Sequence, residues 1–204
     1  MSVAKKKSKV REYAETLVIA LIIALFVRGL VVQAFKIPSS SMEPTLLVGD
    51  HILVNKFIYG IRIPMIGKKV FPFSQPRRGD VIVFIFPNDR SKDYIKRVIG
   101  LPGEKVEIKE RKIYINDHLI EDPWGHFSSW GPGARETFGP VMVPPNSLFV
   151  MGDNRDNSED SRYWGFVPLH DVLGKAFVMY WSWNWRASSL VSKVRWNRIG
   201  SLIH

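Results

Sequence analysis

The 204-residue chain is 46% hydrophobic and 12% aromatic, which is ample for a folded core and excludes a disordered chain. It has no cysteine, which excludes a disulfide framework, a thiolate nucleophile and a Cys-based zinc site. Its formal net charge of +10 is concentrated at the ends: nine of the 29 basic residues lie in the first 11 and last 19 positions, where no acid occurs, leaving 20 against 19 acids between them, a pattern that speaks against a nucleic-acid-binding face.

Residues 1–15 read as a basic cytoplasmic tail carrying Lys5, Lys6, Lys7, Lys9 and Arg11. From Thr16 to Phe35 the chain has a single charge, Arg28, around the apolar run Leu17–Val27. A helix of about 20 residues crosses a bilayer core of roughly 30 Å, so residues 16–35 are expected to be one transmembrane helix. Two other readings stay open for such a run: a buried soluble helix, or the apolar region of a removable signal peptide, with Val32-Gln33-Ala34 resembling a cleavage site. Arg28 and Gly29 interrupt the run where a signal peptide would continue, which favours a retained span. The basic tail then places the N-terminus in the cytoplasm and residues 36–204 outside, with membrane lipids as partners.

Beyond the apolar run comes Ser39-Ser40-Ser41-Met42-Glu43-Pro44, a possible nucleophile in a turn at a membrane surface. A Pro-Ser stretch is also what an ordinary membrane-exit linker looks like. Val81–Phe86 reads as a buried strand ended by Pro87-Asn88-Asp89, and Lys105–Glu110 with Lys112–Asn116 as a hairpin. Leu148–Met151 and Val172–Trp183 complete the strand signals, and no later segment has a long amphipathic-helix pattern. The expected fold is therefore mostly β, barrel-like or sandwich-like, preceded by one helix. Residues 122–147, rich in Pro, Gly, Ser and Trp, suggest an inserted loop or sub-domain, the insertion as a whole covering about 105–147. Trp181, Trp183 and Trp185 recur at period two and share a strand face, open to either a membrane interface or a core stripe.

A serine nucleophile needs a base. The G-x-S-x-G elbow is missing and none of the five histidines has a triad context, which leaves lysine, an amine that burial can neutralise. In Asp93–Gly100, strand alternation puts Tyr94, Lys96 and Val98 on one face and Arg97 on the other, so one of two adjacent cations faces inward; a solvated edge strand is the alternative. The polar segment Gly152–Gly165 has too many acids for an ordinary loop. Arg155 stands where a calcium loop needs a third-position ligand and the sixth-position glycine is absent, so no metal is expected and internal Asp–Arg pairs are.

Taken together, I-P-S-S-S-M-E-P-T-L, Y-I-K-R-V-I-G-L-P-G-E and G-D-N-R-D-N-S-E-D-S-R-Y-W-G, with Arg78-Gly79-Asp80 between them and Arg195–Gly200 near the end, resemble the boxes of bacterial type I signal peptidases, membrane-anchored Ser-Lys serine proteases. The resemblance implies an antiparallel β catalytic domain with a small β insertion, in which Ser41 is the nucleophile and Lys96 its general base. It implies an oxyanion hole from the Ser39 hydroxyl and the Ser41 backbone N–H. It assigns Ser158 a hydrogen bond to the lysine, Asp160 and Arg162 a pair that fixes the loop, and Asp153, Arg155 and Arg97 supporting roles. No cofactor is implied; the partners are preproteins bearing signal peptides, cut after small residues in Ala-x-Ala-like motifs. Two alternatives belong to other classes: a self-cleaving repressor type of Ser-Lys protease, whose DNA-binding module is replaced here by a basic tail and apolar run, and a non-enzymatic membrane-anchored binding module.

Overall fold

The computed structural model of the protein describes residues 9–26, 31–62, 69–70, 73–127 and 137–204. Helix α1 covers Lys9–Phe26, 18 residues, supported early by an Arg11–Glu15 ion pair and by Thr16 Oγ1 donating to Glu12 O. It takes in residues 9–15 of the expected tail and 16–26 of the expected span, while residues 1–8 and 27–30, with Arg28 and Gly29, lie outside the described residues. Val32–Lys36 is instead strand β1, paired antiparallel with β2 at Asp50–Asn55. Residues 32–35 of the expected span thus belong to β1, and the folded domain begins before residue 36. No helix among the described residues is long and apolar enough to cross a membrane. Among the described side chains of α1, Val10, Tyr13, Leu17, Val18, Ile19, Leu21 and Ile22 are all exposed.

The remaining strands are β3 (Ile61–Arg62), β4 (Lys69–Val70), β5 (Val81–Ile85), β6 (Asp93–Gly100), β7 (Lys105–Lys109), β8 (Lys112–Ile115), β9 (His118–Leu119), β10 (Phe138–Met142), β11 (Ser147–Met151), β12 (Val167–Pro168) and β13 (Val172–Ser182). A seven-stranded sheet runs in the order β1-β2-β13-β5-β6-β11-β12, a four-stranded sheet in the order β10-β7-β8-β9, and β3 pairs with β4. Every pairing of these strands is antiparallel, and the protein is mostly β. The β7–β8 hairpin turns through Glu110 and Arg111, both at positive φ (49° and 67°), the backbone of a tight two-residue turn whose twist matches its strands.

Strand β5 shows why a continuous apolar run was needed. Val81 and Val83 enter a core with Ile37, Met42, Leu46, Ile52 and Met179, while Ile82 and Phe84 enter another with Val98, Leu148, Val150 and Val172. A strand covered on both faces has no position left for a polar side chain, and each such residue contributes about 1.5–3 kcal/mol by its burial. A third core, Ile99, Val106, Ile108, Ile113, Ile115 and Phe149, joins the four-stranded sheet to β6 and β11. The tryptophans form neither a core stripe nor one strand face, since β13 ends at Ser182 after a register shift between Met179 and Trp181. Trp181 stacks on Trp183, Trp185 and Trp196 stand edge-on to this pair, and the outer two are 67% and 63% exposed, with Lys36 Nζ 5.5 Å from the Trp185 ring.

Candidate active site

Three segments separated by more than 50 residues converge around Lys96 on strand β6 of the large sheet. The turn after β1 carries Ser41, held by backbone bonds of Glu43 to Ser40 and Leu46 to Met42, with Met42 and Leu46 anchored in the core. Strand β6 delivers Lys96, and its Nζ donates to Ser41 Oγ at 2.6 Å. The Gly152–Asp160 loop after β11 closes the site from the third side: Asn154 N donates to Ser41 O, Asn154 Nδ2 to Ser40 O and Asn157 Nδ2 to Ser40 Oγ, at 3.1, 3.2 and 2.8 Å. These two asparagine side chains were not singled out in the sequence; their adjacency to the Asp–Arg run was the available signal. Gly152 is required by close approach, since a Cβ there would stand 2.6 Å from Ser158 Cβ and would also press on Ser41 O.

Both cations of β6 are buried, rather than one, with Lys96 4% exposed and Arg97 fully enclosed. They face opposite sides. Arg97 makes a two-pronged pair with Asp153, Nε and Nη2 donating at 2.8 and 2.6 Å, while Nη1 donates to Gly79 O and His204 O. Thr45 Oγ1 donates to the same Asp153 carboxylate at 2.6 Å, so the nucleophile's turn and the base's strand share one anion. Asp160 caps helix α2 (Ser161–Trp164) and pairs with Arg162 Nε at 2.8 Å; its other oxygen accepts from Gly152 N. Arg155 pairs with Asp122 and donates from Nε to Gly152 O.

Burial pushes the Lys96 amine from 10.5 down to about 8, against the opposing pull of the Asp160 and Asp153 carboxylates; Arg162 reinforces the fall and Glu159 resists it. A neutral amine 2.6 Å from a hydroxyl is a base in hydrogen-bond reach of the proton it would take. Ser39 Oγ lies 3.5 Å from Ser41 Oγ, at the outer limit of a hydrogen bond. Ser158 departs from its expected role. It is buried and lines the cleft, but its Oγ has no hydrogen-bond partner among the described residues, while Lys96 Nζ donates to Ser41 Oγ. An open cleft of about 640 Å³ leads to the dyad, lined by Ser39, Ser41, Tyr94, Lys96, Ser158 and Glu159 among others.

A family profile described as signal peptidase, peptidase S26, matches residues 10–181. The chain belongs to that family. It is 40% identical over 206 residues to the signal peptidase I of Pseudomonas aeruginosa, covering 84% of this chain and 72% of the relative. It is 38% identical over 188 residues to the signal peptidase I of Leptolyngbya laminosa, covering 88% and 84%. The crystal structure of a signal peptidase I from Enterococcus faecalis is similar at 35% identity with a TM-score of 0.44, covering 50% of this chain and 97% of that one. A member of the S26 peptidases is a serine peptidase and hydrolase, so the non-enzymatic binding module is set aside. The matched region spans all three converging segments of this signal peptidase homologue.

Proposed function

We propose that this enzyme removes N-terminal signal peptides from preproteins, using Ser41 as nucleophile and Lys96 as general base. The observation that carries the reading is the 2.6 Å contact between Ser41 Oγ and a buried lysine whose pKa is lowered to about 8. Neutral Lys96 takes the Ser41 proton as Oγ attacks the scissile carbonyl carbon, forming a tetrahedral intermediate. The Ser39 hydroxyl and Ser41 N–H are the donors assigned to its oxyanion. The ammonium of Lys96 then protonates the leaving amine as the C–N bond breaks, leaving an ester on Ser41. Water, deprotonated by the regenerated amine, hydrolyses that ester. Asp153, Arg97, Arg155, Asp160 and Arg162 hold the loop and strand that set this geometry.

The substrate motif in this reading is small residues of the Ala-x-Ala type, delivered in extended form to the cleft beside Tyr94 and Lys96. The enzyme is held at the plasma membrane with its N-terminus cytoplasmic and its β domain on the outer side. Support comes from the basic N-terminal residues, the exposed apolar side chains of α1, and the partly exposed tryptophan group beside Lys36, since indoles and lysines favour the headgroup region. Purified full-length protein with a preprotein should release the mature product, and Ser41→Ala should not. Protease added to the outer face of intact cells should digest the β domain, and digestion only from the cytoplasmic face would reject the orientation.

A further inference from the structure

The geometry points to residues 122–126, in the segment between β9 and β10, as a positioning strap that holds the two arginines behind the catalytic dyad, with Trp124 and Asp122 as its working side chains. This rests on the Ser41–Lys96 reading.

Residues 122–126 dock on the catalytic loop from behind. Backbone bonds run both ways, His126 N to Asp153 O at 2.7 Å and Arg155 N to His126 O at 2.8 Å, forming a parallel bridge of His126 with Asn154. Asp122 takes both terminal nitrogens of Arg155, and the Trp124 ring covers the Arg97 guanidinium at 4.6 Å. Glycines make room at both contacts. A Cβ on Gly79 would stand 2.9 Å from Trp124 Cη2, and one on Gly125 would stand 2.6 Å from Arg155 Nη1. Such close fits on two buried cations are more than a passing loop requires. None of the residues 122–126 lines the cleft, so substrate has no direct contact with the strap.

The consequence reaches Lys96 through charge. The charged groups acting on its amine are Asp160, Asp153, Arg162 and Glu159 from the catalytic loop, with Asp93 lining the cleft beside it; Arg97 faces the opposite side of β6 and acts on the amine through Asp153. Asp153 favours the protonated amine, and Arg97 offsets Asp153 only while its guanidinium is held in the two-pronged geometry. Removing the ring that covers Arg97 lets the guanidinium swing and uncovers Asp153. Loosening Arg155 has a parallel effect, because Arg155 O accepts from Arg162 Nη2 and so helps seat Arg162 on Asp160. Either change returns proton affinity to Lys96 and moves the acid limb of the rate profile to higher pH.

The test is kcat and KM against pH, with a signal-peptide-bearing preprotein, for full-length wild type, Trp124→Ala, Trp124→Phe and Asp122→Asn. Ile108→Ala serves as a control that weakens the core of the same four-stranded sheet away from the strap. Trp124→Ala is expected to raise the acid limb by about one pH unit, lowering kcat/KM at pH 7 about tenfold with KM unchanged. Trp124→Phe should restore most of the loss, Asp122→Asn should shift the limb in the same direction, and Ile108→Ala should leave the limb in place. If Trp124→Ala does not fold, Asp122→Asn carries the test. A wild-type acid limb in every strap variant that folds, with or without a fall in kcat matched by Ile108→Ala, overturns the strap and leaves the dyad standing. Retained activity in Lys96→Arg, run alongside, would show instead that the dyad reading had failed.

Discussion

Replacing Lys96 with methionine should stabilise the fold at neutral pH while abolishing turnover. The amine is 4% exposed and burial lowers its pKa from 10.5 to about 8. At about 1.4 kcal/mol per pH unit, that fall means the unfolded chain gains about 3 kcal/mol more than the folded one from protonating this lysine at pH 7. The sign is fixed by the direction. A depressed lysine binds fewer protons folded than unfolded, so the penalty is full below pH 8, shrinks between 8 and 10.5, and is absent above. Methionine is similar in length, fits a buried slot and loses the bond to Ser41 Oγ, worth about 1 kcal/mol. The net expectation is a gain of about 2 kcal/mol at pH 7, falling toward zero at pH 10. Urea unfolding of wild type and Lys96→Met in detergent, at both pH values, reads the difference directly. A Lys96→Met protein less stable than wild type at pH 7, or a difference that does not change with pH, would refute the claim that this lysine is held against its charge.

Asp160→Ala should cost about 3–5 kcal/mol, because it strands the Arg162 guanidinium, 3% exposed, and also removes the cap of α2 and the acceptor of Gly152 N; a loss below about 1 kcal/mol in thermal or urea unfolding would place that pair among weak surface pairs. Gly152→Ala should cost about 1–3 kcal/mol and lower kcat, since the new methyl meets the Ser41 carbonyl and Ser158 rather than open space; wild-type kcat and stability in this variant would show that the loop has slack.

How much of this was legible depended on the range of the interactions involved. Strands β5, β6, β7, β8, β11 and β13 were readable because each carries its own apolar pattern and its own terminating turn. Strand β1 was not: Val32-Gln33-Ala34-Phe35 follows closely on a longer apolar run, and one polar residue in four positions is too short a pattern to mark a change of period. Strand β2, only six residues with alternating burial, lay beside the serine turn and was overlooked. At the site, Lys96 stood out because neither a cysteine nor a histidine in a triad context was on offer, whereas Ser41 was picked from three adjacent serines by the resemblance. One inward cation was legible in β6, but both Lys96 and Arg97 are buried, and the Arg97 partner is 56 positions away, a pairing that no local pattern encodes. Asn154 and Asn157 act through amide bonds in irregular backbone, and Trp124 and Asp122 sat in a stretch whose composition says only turn and loop. The Ser158 contact came from resemblance alone, and here the geometry differs from the expectation.

The dyad itself is tested most directly by the pH dependence of preprotein cleavage measured for wild type and for Lys96→Arg. With a base near 8, wild-type kcat/KM should rise about tenfold for each pH unit below that value and level off above it. Arginine keeps the charge and approximate length but does not deprotonate in this range, so Lys96→Arg, shown folded by circular dichroism, should be inactive throughout. A folded Lys96→Arg with substantial cleavage, or a wild-type profile flat from pH 6 to pH 9, would contradict the assignment of Lys96 as the base.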